Sequence, residues 1–148
     1  MSYIERVVHV DASPADVWAV MMDVERWPEW TSSITRVVPE DSSPIGTGSR
    51  YRVSASGVPT ATFCVSQFIE GRSFTWGTES GVRADAGHVI EPEGNGSKVT
   101  LSITTRGLLG ALFAPLIMRA ARRNMQIEAE GLKRRSEARA AGTASTAE

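Results

Sequence analysis

Two histidines and one cysteine are the side chains with which this chain could do acid–base or nucleophilic chemistry near neutral pH. His88 falls in an alternating, β-prone segment on the same side as Ala86 and Ile90, where an imidazole can donate or accept a proton. The sequence offers it no evident carboxylate partner, so a core histidine hydrogen-bonded to a neighbouring strand or helix stands beside the catalytic reading. Two neutral polar groups could assist it. Tyr51 carries a hydroxyl on an inward strand position, and Asn124 carries an amide between Ala120 and Ile127 on a long helical stripe. That amide could orient a ligand, or tie the helix to a strand backbone, as buried amides usually do. Trp30 and Trp76 offer apolar faces with one N–H each, suited to stacking on a flat ligand or closing a cavity mouth; Trp18 and Trp27 read as packing residues. Cys64 alternates with Phe63 and should face away from His88. His9 and His88 lack metal-ligand spacing, so neither a metal nor another cofactor is expected.

These residues need elements to position them. Tyr3 to Val10 alternates as a strand, with Ile4, Arg6, Val8 and Val10 on one face. Ser13 and Pro14 supply an N-cap and a first helical residue for a short helix whose stripe is Val17, Val20, Met21 and Val24. Proline at position 28 should end it, leaving a second short turn to carry Trp30. Six further strands follow: Ile34 to Val38, Ser49 to Ala55, Thr60 to Phe68, Ser73 to Thr78, Val82 to Glu91, and Lys98 to Thr105. Glycine- and proline-bearing turns join them as an antiparallel meander. The Asn95-Gly96-Ser97 sequon reads as one of these turns, and Gly46-Thr47-Gly48 lacks the lysine of a phosphate-binding loop.

Helical periodicity returns from Leu108 to about Ala138. It puts Leu109, Leu112, Phe113, Leu116, Ala120, Ile127 and Gly131 near one face, with Pro115 expected to kink or separate the first turn. Arg119, Arg122 and Arg123 read as a solvated face. Residues 1–138 form one domain in this reading, and 139–148 a disordered tail.

Composition narrows the classes. The chain has 148 residues, 41% hydrophobic and 22% charged, with a formal charge of −1, which suits one domain with a substantial core and disfavours nucleic-acid binding. One cysteine excludes an internal disulfide framework. The N-terminus does not read as a signal peptide, and the Leu108 to Met118 stretch falls short of the about 20 residues that cross a bilayer. The expectation is a cytoplasmic protein, monomer or homodimer, with no integral membrane segment.

Ala12-x-Pro14-x-x-Val17-Trp18, Asp23-x-x-x-Trp27-Pro28-x-Trp30, Gly46-x-Gly48, Phe74-x-Trp76 and His88-x-x-Glu91-Pro92, in this order of elements, resemble the START/Bet v1-like (SRPBCC) superfamily in its bacterial polyketide cyclase/dehydrase-like branch, over Tyr3 to about Glu137. The resemblance implies an α+β helix-grip fold: a curved seven-stranded antiparallel sheet wrapped around a long C-terminal helix, with two short helices between strands 1 and 2. The ligand would sit between sheet and helix. Strand alternation then turns Tyr51, Val53 and Ala55 inward, with Ala61, Phe63 and Val65 beside them. Phe74, Trp76, Ala86, His88 and Ile90 follow, then Val99, Leu101 and Ile103. Leu112, Leu116, Ala120 and Asn124 would complete the lining from the helix, with Trp30 at its edge. A lining so poor in ionisable groups suits binding or transport of a small hydrophobic molecule, a lipid or a polyketide-like aromatic. The alternatives are a polyketide cyclase or aromatase that uses His88 with Tyr51 or Asn124, and a protein-interaction module docking through Leu108 to Phe113.

Overall fold

The computed structural model of the chain describes residues 1–146, the last four by their backbone. Strand β1 (Ser2–Val10) leads into α1 (Pro14–Met22) and a 3₁₀ turn (Val24–Glu29). Strands β2 (Ile34–Pro39), β3 (Arg50–Ala55), β4 (Ala61–Ile69), β5 (Ser73–Thr78), β6 (Arg83–Glu93) and β7 (Gly96–Arg106) follow, and α2 (Gly107–Thr146) ends the chain. The sheet is antiparallel throughout, in the order β1-β7-β6-β5-β4-β3-β2. Six of its seven strands are thus a hairpin meander, and β1 is added at the far edge beside β7. This is the helix-grip fold, with two short helical segments between the first two strands.

Local chemistry sets the junctions. Ser13 Oγ accepts the Asp16 N–H at 3.2 Å and Pro14 occupies the first helical position, so α1 starts where two of its orphan amides are dealt with. Gly107 takes φ +78° between β7 and α2, a conformation that lets the chain turn sharply from strand into helix. Cross-strand pairing places the expected inner face inward. Leu101 lies opposite His88, which lies opposite Phe74; Ile103 lies opposite Ala86, which lies opposite Trp76. A register shift between Val65 and Gln67 then returns Phe68, instead of Gln67, to the inner face opposite Phe74.

Helix α2 differs from the sequence reading in two ways. Its first turn is not separated at Pro115, and it continues past Ala138 to Thr146, where a tail is expected from 139; residues 147 and 148 lie outside the described residues. Alanines at 138, 140, 141 and 144 favour helix, and Arg139 Nε lies 3.3 Å from Asp16 Oδ1 of α1. The second difference is its rotation. The buried stripe is Gly110, Met118, Met125, Ala129, Leu132 and Ser136, with Ala114 and Ala121 half-buried along it, whereas the leucine-rich stripe expected to meet the sheet faces solvent. Small residues win because the helix touches backbone. A Cβ at Gly110 would stand 3.5 Å from Thr105, and one at Gly131 would strike the Trp30 carbonyl.

Candidate functional site

Below α2 the concave face is aromatic. Trp27, fully buried, is its hub: its ring centroid lies 5.5 Å from Trp30, 6.2 Å from Phe74, 5.3 Å from Trp76 and 5.4 Å from the His88 imidazole. Its indole N–H donates to the Met21 carbonyl at 3.0 Å, which fixes the ring beneath the turn that carries it. Sequence reasoning assigned Trp27 to packing and missed its place at the centre of the rings of the site. Trp76 is joined by Tyr51 at 5.8 Å and Phe63 at 5.7 Å. Such contacts each contribute about 0.5–1.5 kcal/mol beyond area burial.

His88 stands in this cluster with each ring nitrogen facing an oxygen. Its ring stacks on Phe74, 4.2 Å between centroids and 7° between planes, and Nδ1 is 3.3 Å from the Phe74 carbonyl oxygen. Nε2 faces Glu128 Oε1 of α2 at 3.4 Å, with the side chains only 4% and 15% exposed. The carboxylate partner that the sequence did not reveal therefore exists, brought by the helix. Glu128 Oε1 is buried and makes no hydrogen bond among the described residues. The imidazole and the carboxylate thus stand within ion-pair reach with no hydrogen bond formed between them, a pairing of groups that proton transfer can use.

The other expected lining residues divide by position. Trp30, Tyr51, Val53, Val65, Phe74, Trp76, Ile90 and Leu101 are buried together in one core cluster, and Phe63 and Ile103 are half-buried. Burial pushes the Tyr51 phenol above its ordinary pKa, with the Ser49 hydroxyl partly offsetting it. Ala120 and Asn124 meet the β3–β4 turn: Asn124 Nδ2 donates to the Ser56 carbonyl at 2.7 Å, and a Cβ at Gly57 would stand 3.6 Å from Ala120. The Asn124 amide thus ties helix to turn. Leu112 and Leu116 do not belong to this constellation; each is 71% exposed on the opposite face of α2. Cys64 is half-buried on the outer face, its thiol pKa raised by desolvation.

Tight packing of the rings leaves hollows at the periphery. One of about 420 Å³, open to solvent, lies between β1 and α2 and is lined by Ile4, Glu5, Arg6, Arg122, Arg123, Met125 and Gln126. Another of about 160 Å³ lies among Val20, Asp23, Trp30 and Arg135. Ala55, Phe63, Ala86 and Ile103 pack against the buried core while themselves only half-buried.

A curved sheet gripping a helix over an aromatic floor defines the helix-grip class. The chain belongs to the family described as polyketide cyclase/dehydrase and lipid transport, whose model matches residues 1–137. No curated protein matches it in sequence. Among solved structures it is similar to a Thermus thermophilus protein, TTHA0849, at 19% identity and a TM-score of 0.74 over 93% of this chain and 98% of that one. It is also similar to the Zhui aromatase/cyclase from Streptomyces sp. R1128, at 15% identity and a TM-score of 0.73, covering 93% and 94%. A START superfamily protein from Mycobacterium smegmatis matches at 15% and 0.67, covering 95% and 98%. At these identities the likeness is one of fold. Among the described residues no helix is long and apolar enough to cross a membrane.

Proposed function

We propose that this protein binds one small hydrophobic molecule against the concave face, beside Ala55, Phe63, Ala86 and Ile103. The observation that carries the reading is the half-buried apolar set Ala55, Phe63, Ala86 and Ile103, packed against the core that holds Trp76 and Tyr51. Apolar surface left concave and partly wet gains about 25 cal/mol per Å² when a ligand covers it. The family description, which includes lipid transport, supports the same class. Native mass spectrometry of the purified chain should reveal a co-purifying apolar molecule, or anilinonaphthalene sulfonate should bind with enhanced fluorescence. Ala86→Phe should fill the proposed site and abolish dye binding while the far-ultraviolet circular dichroism is unchanged. Dye binding that survives Ala86→Phe in a folded protein would defeat the proposal.

A second reading, a cyclase- or aromatase-type enzyme in the same space, is favoured by one observation: the unpartnered Glu128 Oε1 beside His88 Nε2. In such a reaction the pair would take a proton from a carbon next to a carbonyl and return it to oxygen, while the aromatic walls hold the chain folded. His88→Ala and Glu128→Gln should then each lower turnover of a reactive polyketide-like chain by about 100-fold or more with binding retained. Turnover unchanged in both variants would leave binding alone as the function.

A further inference from the structure

Helix α2 carries two apolar stripes on opposite faces, and only one is used inside the fold. Gly110, Met118, Met125, Ala129 and Leu132 are buried. Leu108, Leu112 and Leu116, spaced by four residues on the far side, are 90%, 71% and 71% exposed, with Leu109 and Phe113 beside them also exposed. Single exposed leucines are ordinary; five large apolar side chains over little more than two helical turns are a surface built for contact. The same stripe continues in cations. Arg119 and Arg123 follow Leu116 at spacings of three and seven, with Arg122 alongside, and residues 107–127 contain no aspartate or glutamate.

These arginines are not spent within the fold. Among the described residues no carboxylate lies within ion-pair distance of Arg6, Arg119, Arg122 or Arg123. Arg6, Arg122 and Arg123 instead border the solvent-open hollow of about 420 Å³, whose floor includes Ile4 and Met125. Its one carboxylate, Glu5, accepts the Tyr3 hydroxyl at 2.7 Å. An apolar tip therefore grades, along one helix face, into a cationic collar beside a cationic hollow.

We propose that the start of α2 docks the protein on an anionic lipid bilayer, the leucine stripe entering the acyl boundary and the arginine collar meeting headgroup phosphates. The dimensions agree. At 1.5 Å per residue the leucines span about 12 Å, comparable to the about 5–10 Å depth at which interfacial helices bury their apolar faces once α2 is tilted. A second copy of the chain is the poorer occupant. Parallel packing of two stripes would oppose arginine to arginine, and antiparallel packing would press arginines on leucines, leaving cations desolvated without counter-charge. Lipid phosphates supply that counter-charge. This surface faces solvent, away from the concave face.

Co-sedimentation of the full chain with vesicles tests the docking. Equimolar phosphatidylcholine and phosphatidylglycerol vesicles should pull the protein down, pure phosphatidylcholine much less, and added salt should weaken the difference. Arg122→Gln with Arg123→Gln should lower affinity for the anionic vesicles about thirtyfold, from about fivefold per arginine near a charged surface. Leu112→Ser with Leu116→Ser should lower binding to both vesicle types. Both variants change exposed residues, so melting temperatures within about 2 °C of the parent establish that they are folded. Absence of binding to anionic vesicles, or equal binding to both compositions, overturns the proposal. So does a concentration-dependent dimer in analytical ultracentrifugation that Leu112→Ser dissolves, which would make a second copy the occupant.

Discussion

Replacing Gly131 by alanine should loosen the grip of the helix on the rest of the fold. Glycine in a helix interior ordinarily costs about 1 kcal/mol relative to alanine, so the exchange would stabilise an unobstructed helix by that amount. At Gly131 the added methyl would collide with the Trp30 carbonyl oxygen and crowd the Trp30 ring, and the obstruction is backbone that cannot rotate away. That same carbonyl accepts a hydrogen bond from Arg134 Nη2 at 3.3 Å. Overpacking of this kind costs about 1–3 kcal/mol, and loss of the Arg134 bond about 1 kcal/mol more, so the net is a destabilisation of about 1–3 kcal/mol. For a chain of this size that is a fall in melting temperature of about 3–9 °C. Gly110→Ala is the internal control: its methyl would meet Thr105 Cβ at 3.5 Å, an ordinary contact, and the variant should be neutral or slightly more stable. Urea and thermal unfolding of both variants give the answer. A Gly131→Ala protein that melts at or above the parent would show that the approach of α2 to Trp30 does not constrain the fold. Since Glu128 precedes Gly131 by less than one turn, the shift should also separate Glu128 from His88, and the His88 ring resonances should move in Gly131→Ala but not in Gly110→Ala.

Removing either partner of the buried His88–Glu128 pair should have unequal effects. Glu128→Leu replaces a carboxylate with apolar surface and should alter stability by less than about 1 kcal/mol, whereas His88→Leu strands a mostly buried carboxylate and should cost about 3 kcal/mol in urea unfolding at neutral pH; equal effects would argue against a charged Glu128. His9 is a separate, surface case. Its imidazole bonds Glu93 at 2.7 Å and Asp11 at 3.0 Å, and Glu93 first, then Asp11, raise its pKa above the ordinary 6.5. The folded state thus binds the proton more tightly than the unfolded one. Its stabilisation is complete below the ordinary value and is lost as pH rises through the raised one; urea midpoints should fall over that window in the parent and stay flatter in His9→Gln. Asn124→Ala should cost about 1 kcal/mol and speed amide exchange in the β3–β4 turn, whose Ser56 carbonyl it releases.

The strands were legible because each has one dry face. Alternation placed Tyr51, Phe63, Trp76, His88 and Leu101 inward, and the pairing of Leu101 with His88 and His88 with Phe74 agrees. Alternation fails locally in β4, where the irregularity between Val65 and Gln67 returns Phe68 inward; a polar Gln67 followed by Phe68 was the signal to read. The rotation of α2 was not legible in the same way. Two stripes compete there, one of leucines and one of alanine, glycine and methionine, and hydrophobicity alone favours the leucines. What decides is the clearance over Thr105 and the Trp30 carbonyl, which is a property of the assembled sheet and turn.

The same rotation accounts for the missed member of the site. Along the buried stripe Glu128 is the one residue of full charge between Met125 and Leu132 that turns toward His88, so its role becomes visible only once that stripe is known to face the sheet. A carboxylate in such a place is unfavourable for folding unless its charge is compensated, and Oε1 has no hydrogen-bond donor among the described residues. Leucine at 128 would fit the stripe at less cost, and the apolar floor of Trp27, Phe74 and Trp76 needs no ion for its own packing. The proposed cyclase-type reading gives that polar atom a use; the packing of the rings does not. Glu128→Leu should therefore equal or exceed the parent in stability while losing turnover; a Glu128→Leu protein that turns over like the parent would reduce the pair to packing.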